Sequence, residues 1–172
     1  MFSERYRSGR NGGASKASCR VTGTWVRIPP SPPSLMTKPD ESRAPKPVGA
    51  YPHARRVGNL LFLSGIGPRV RGQREIPGVT CSKDGRVIAH DIEAQCRSVF
   101  DNVRTVLEES GSTWERLIDV TVFLTNMTDD FDTFNGVYAE YFSTNQPCRT
   151  TVEVSRLPTP IAIELKCVAT VD

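Results

Sequence analysis

From Tyr51 onward, short apolar runs alternate with polar turns, and the repeat switches between a period of two and a period of three to four. Residues 51–57 and 60–66 predict two strands joined at Gly58-Asn59, a dipeptide that suits a tight hairpin. Leu60-Leu61-Phe62-Leu63 is apolar at successive positions, so this strand is expected to be central and covered on both faces. Residues 67–90 hold Pro68, Gly72, Pro77, Gly78 and Gly85 among many charges. They read as a long loop with room for a small hairpin around Gly85, and loops of this length are often functional.

Asp91 can cap a helix in which Ile92, Cys96, Val99, Val103, Val106 and Leu107 recur at spacings of three and four, with Gly111 as its stop. Residues 120–124 predict a strand. A second helix is expected over 130–142, with Phe131, Phe134, Val137, Tyr138 and Tyr141 as its apolar face and acids in its first turn. Strands near 149–155 and 162–171 close the chain. The order ββ-α-β-α-ββ predicts a two-layer α+β domain over residues 48–172, a mixed β-sheet with two helices on one face.

The first 47 residues read differently. Residues 1–35 show neither period and are rich in Ser, Gly, Arg and Pro, a composition that cannot bury enough apolar surface to offset the entropy of ordering. Residues 37–48 are polar and proline-bearing and read as a flexible arm. The expectation is a disordered extension over 1–47, with 1–35 lying upstream of a natural start at Met36. A secretory signal is excluded by the missing apolar segment; an Arg- and Ser-rich, acid-poor targeting presequence is the alternative, although the segment holds helix breakers and no clear amphipathic stripe.

Charge is unevenly placed. Residues 1–35 contribute +5 to a whole-chain net charge of +3, which leaves −2 for the remainder. Such a domain offers no electrostatic footprint for nucleic acid. No apolar run approaches the ~18 residues that a membrane helix needs. The five cysteines include no CxxC pair and only two histidines are present, so neither a disulfide framework nor a metal site is expected. A reducing cytoplasmic setting follows most simply.

In Arg149-Thr150-Thr151-Val152-Glu153-Val154 the strand period puts Arg149, Thr151 and Glu153 on one face and Thr150, Val152 and Val154 on the other. A strand arginine beside a small hydroxyl can grip a carboxylate with two parallel hydrogen bonds. Taken alone, it reads more simply as a surface charge on a solvated sheet face.

Pro147-Cys148-Arg149-Thr150-Thr151-Val152-Glu153-Val154, followed by Arg156-Leu157-Pro158 and Ile163-Glu164-Leu165, resembles the C-terminal signature of the Rid (YjgF) family of enamine/imine deaminases. Gly49-Ala50-Tyr51, Leu63-Ser64-Gly65, Asp101-Asn102-Val103, Val120-Thr121-Val122-Phe123-Leu124 and Phe134-Asn135-Gly136-Val137-Tyr138 fit the same family in the same order. The resemblance covers about residues 48–171. It implies a chorismate-mutase-like fold and a homotrimer with active sites between subunits, and it implies hydrolysis of a small carboxylate-bearing enamine or imine without metal or organic cofactor. Arg149 would clamp the carboxylate and Glu164 would act as general base. Tyr51, Ser64, Gly65, Asn135 and Thr151 would line the substrate pocket, with Thr151 standing where well-known members carry cysteine. The apolar alternation Ile161, Ile163, Leu165 is expected to serve the trimer.

Tyr51-Pro52-His53-Ala54-Arg55-Arg56 is similar to the entry segment of the 2-aminomuconate deaminase branch, which also has a longer loop after the Ser-Gly strand. On that resemblance His53 joins the substrate-binding set, and Arg55, Arg56 or Arg69 could hold a second carboxylate. A broad-specificity 2-aminoacrylate/imine deaminase and a non-catalytic small-molecule-binding or interaction module of the same fold are the rival readings.

Overall fold

The computed structural model describes residues 42–84 and 86–172. The extension upstream of residue 42, including the proposed start at Met36, lies outside the described residues. Residues 42–47 were expected to belong to that flexible arm, and the structure corrects this. Ser42 and Ala44 are buried, and the Glu109 carboxylate accepts hydrogen bonds from Ser42 Oγ and from the Arg43 backbone N–H, both at 2.6 Å.

Strands β1 (Ala54–Val57) and β2 (Leu60–Leu63) form the expected hairpin. Gly58 turns it with φ of 61°, a left-handed value that costs glycine little. Strands β3 (Val79–Cys81) and β4 (Val87–His90) form a separate two-stranded sheet inside the long loop. This is the small hairpin expected within that loop, and it stands beside the ββ-α-β-α-ββ order.

Helix α1 (Ile92–Glu109) starts at Asp91, whose side chain accepts a hydrogen bond from the Ala94 N–H. All six of its expected core residues are buried, and so is Gln95. A single turn at Trp114–Arg116 leads into β5 (Leu117–Leu124). Helix α2 (Met127–Tyr141) begins three residues before the expected start, because Asn126 caps it by accepting from the Asp129 N–H. Strands β6 (Cys148–Glu153) and β7 (Ile163–Thr170) complete the chain.

The main sheet runs β1-β2-β7-β5-β6, with β5 and β6 parallel and every other pair antiparallel. Val120, Val122 and Leu124 of β5, together with Ile163, Leu165 and Cys167 of β7, are buried with the apolar stripes of both helices in one core. Among the described residues no helix covers the second face of the sheet. Phe62 on that face is 40% exposed, so β2 is covered on one side only, contrary to the two-sided cover its sequence suggested. Ile161, Ile163 and Leu165, expected to serve a trimer contact, are instead buried within their own chain.

Candidate active site

Register divides the expected site residues into two groups. Val122 pairs with both Thr151 and Leu165, so these three share the helix-covered face. Phe123 pairs with both Val152 and Glu164, so Glu164 points to the open face. Val120, buried under the helices, pairs with Arg149, which therefore also lies on the covered side. Arg149 and Glu164 thus stand on opposite faces of one sheet, with β5 between their strands.

Arg149 sits on edge strand β6, where its guanidinium reaches over α2. It lies 4.5 Å from the Tyr138 ring centroid and 5.5 Å from that of Phe134. Its Nη1 donates to Asn135 Oδ1 at 2.9 Å. The Tyr138 ring is braced by Phe142, stacked at 4.2 Å. Burial pushes the Tyr138 phenol up to about 12, so it stays a neutral platform for the cation. The hydroxyls of Tyr138 and Thr151 are buried with no hydrogen-bond partner among the described residues. Asn135 was expected to face substrate; here it holds the arginine. From sequence, Phe134 and Tyr138 read only as an apolar helix face, four residues apart, with no sign of a cation above them.

Glu164 lies in a groove of about 500 Å³ on the open face, together with Tyr51, Ser64, Gly65, Arg55 and Lys166. A Cβ on Gly65 would run into the Glu164 carboxylate, so the glycine makes room for it. Burial raises the carboxyl pKa above the ordinary glutamate value. Ser64 Oγ donates to the Pro52 carbonyl at 2.6 Å, which ties the floor of the groove to the segment carrying Tyr51. The loop beyond Gly65 is pinned from α1: Asn102 Nδ2 donates to the Gly67 and Arg69 carbonyls at 2.9 and 2.7 Å. The sequence marked Asn102 as a landmark without revealing this task.

His53 lies beside the groove. Its Nε2 is 2.8 Å from the Pro45 carbonyl, which can only accept, so the nitrogen donates. Burial lowers the His53 pKa. The histidine ties the residue before β1 to Pro45. Of the cysteines, Cys96 and Cys167 are buried and their thiols are pushed up to about 12, while Cys81 and Cys148 are exposed.

This arrangement offers a desolvated carboxylate in one groove and an aromatic-backed guanidinium elsewhere, the two elements needed to deliver water to a carbon near a carboxylate. Residues 41–171 match the family model described as Endoribonuclease L-PSP. A RutC family protein of Pyrococcus horikoshii is 41% identical over 126 residues, covering 73% of this chain and 90% of its own. A 2-iminobutanoate/2-iminopropanoate deaminase of Dermatophagoides farinae is 31% identical over 143 residues, covering 83% of this chain and 99% of its own. The crystal structure of E. coli TdcF with bound serine superimposes with a TM-score of 0.64 at 30% identity, covering 76% of this chain and 94% of that one. With its α+β, chorismate-mutase-like sheet and paired helices, the chain belongs to the Rid (YjgF, L-PSP) family.

Proposed function

We propose that this chain is one subunit of a homotrimeric, cofactor-independent deaminase that hydrolyses an enamine or imine carrying a carboxylate, with 2-aminomuconate as its substrate. The observation that carries this reading is the placement of Arg149 and Glu164 on opposite faces of one sheet. Within one chain the two side chains project away from each other, which supports a site where the carboxylate clamp of one subunit serves the base of another. The open sheet face, with Phe62 and Val152 exposed, supports a second chain packing there.

Protonation of the enamine at carbon gives an iminium, already an electrophile. Arg149 holds the substrate carboxylate and so fixes the C=N carbon over Glu164. Glu164 takes a proton from water as the oxygen bonds to that carbon. It returns that proton to nitrogen, and as the C–N bond breaks the ionised carboxylate takes the hydroxyl proton, so that C=O forms and ammonia and an oxo acid are released. A carboxylate with a raised pKa suits both transfers near neutral pH. Serine bound to TdcF, an amino acid with a carboxylate, is in keeping with a pocket for small acids.

The Pro52-His53 entry and the long loop with its β3–β4 hairpin favour the 2-aminomuconate branch. The mite relative's name favours the alternative, a deaminase of imines derived from small amino acids. Ammonia release from enzymatically generated 2-aminomuconate and from 2-aminoacrylate, compared at equal protein concentration, separates them. Faster release from 2-aminomuconate is expected, and release from neither would leave a binding module. Cleavage of RNA is not expected, because the −2 charge downstream of residue 35 gives a polyanion no basic track.

A further inference from the structure

Three arginines near the groove were candidates for a second carboxylate anchor, and the structure distinguishes them. Arg56 donates to the Gly58 carbonyl at 2.8 Å and to the Asp172 carbonyl at 2.6 Å. Arg69 donates to the Lys46 carbonyl at 2.8 Å. Both are engaged in holding backbone. Arg55 pairs with Phe62, and Phe62 pairs with Val168, so Arg55 shares the open face with Val168 and, at alternate positions along β7, with Lys166 and Glu164. Arg55, Lys166 and Glu164 line the same groove. Among the described residues no ion pair joins Glu164 to either cation, and neither cation is paired with another carboxylate. Two cations therefore face one groove whose single acid is needed as a base.

We infer that Arg55, assisted by Lys166, forms a second anion-binding position in the Glu164 groove, so that the site selects dicarboxylates over monocarboxylates. This rests on the deaminase reading for its chemistry: the carboxylate beside the reacting carbon goes to Arg149, and the distal carboxylate goes to Arg55. Arg55 adds a planar two-point fork, while Lys166 adds a point charge. The consequence is specificity, because an acid lacking the distal carboxylate leaves both cations without a partner.

Two unreactive diene acids test it: muconate, with two carboxylates, and sorbate, with one. Titration calorimetry on the assembled wild-type protein is expected to show muconate binding more tightly by on the order of tenfold, the scale of a charge-assisted contact. Arg55→Leu is expected to bring the ratio close to one, Lys166→Met to narrow it, and Arg149→Lys to weaken both acids while keeping it. Sedimentation and circular dichroism check assembly, with Arg55→Gln read instead if Arg55→Leu fails to assemble. Equal binding of the two acids, binding of neither, or a ratio unchanged in both Arg55→Leu and Lys166→Met would overturn the second anchor. A collapsed ratio in a protein that releases no ammonia would keep the anchor and remove the deaminase. Ammonia release with an unchanged ratio would do the reverse.

Discussion

Arg149 and Glu164 belong to strands that flank β5, yet they project from opposite faces of the sheet, because Arg149 aligns with buried Val120 whereas Glu164 aligns with Phe123. Arg149 is held by Tyr138 and Asn135 of α2, and Glu164 is sheltered by Gly65. The chain thus presents two half-sites facing different directions. Each is well supported locally, the first around Arg149 and the second around Glu164.

Arg149→Lys keeps the charge and loses the fork. It is expected to lower kcat/KM by on the order of 10²-fold, about 2.7 kcal/mol of transition-state binding. Folding should survive, since the side chain is exposed and lies outside the core. Wild-type kcat/KM in a folded Arg149→Lys protein would make the arginine a surface charge.

Tyr138 separates platform from packing. Tyr138→Phe keeps the ring beneath Arg149 and removes a buried hydroxyl that has no partner among the described residues, so activity and stability should stay near wild type. Tyr138→Leu is expected to raise KM severalfold, in line with the ~0.5–2 kcal/mol of a cation–π contact. An unchanged KM in a folded Tyr138→Leu protein would deny the platform role.

Glu164 must be ionised to act as base. Burial raises its pKa, so the acidic limb of kcat/KM should sit above the ordinary glutamate value near 4.5 and activity should fall as pH drops through it. Glu164→Gln should mainly lower kcat and abolish that limb. Its effect should combine with Arg149→Lys far from additively, since both act on one bound substrate. Retention of the same limb in Glu164→Gln would assign the base elsewhere.

His53 should make the fold acid-sensitive. Its folded pKa lies below the ordinary 6.5, so as pH falls the unfolded chain takes up the proton first. Stability is therefore lost as pH drops from about 6.5 through the lowered value, and it is fully present above 6.5. Denaturant midpoints measured on either side of that window should differ more in wild type than in His53→Gln; equal differences would contradict this.

Much of this was legible in the sequence because single-chain burial wrote it there. The stripe from Ile92 to Leu107, the Gly58-Asn59 turn and the alternation of β7 each follow from one element meeting one core. The faces of β6 were not legible. The strand period separates Arg149 from Val152 and Val154 without saying which side meets the core; Val152 is 37% exposed and the arginine side meets α2, because an edge strand overhangs a helix that supplies aromatic faces. Gln95 was equally hidden: its Oε1 accepts from the Ala162 N–H at 2.8 Å, a contact across 67 positions that no local pattern encodes. Arg43 and Ser42 looked like linker because their partner, Glu109, lies at the far end of α1.

The most direct measurement mixes two crippled chains. Arg149→Lys supplies an intact Glu164 groove, and Glu164→Gln supplies an intact Arg149 platform. Co-expressed with different tags and purified through both, they form hybrid assemblies in which some sites combine the two intact halves. In a trimer retained by both tags one of the three sites joins two intact halves, so ammonia release should reach roughly a third of wild type. Activity no higher than the mean of the two parent variants would contradict an active site shared between subunits.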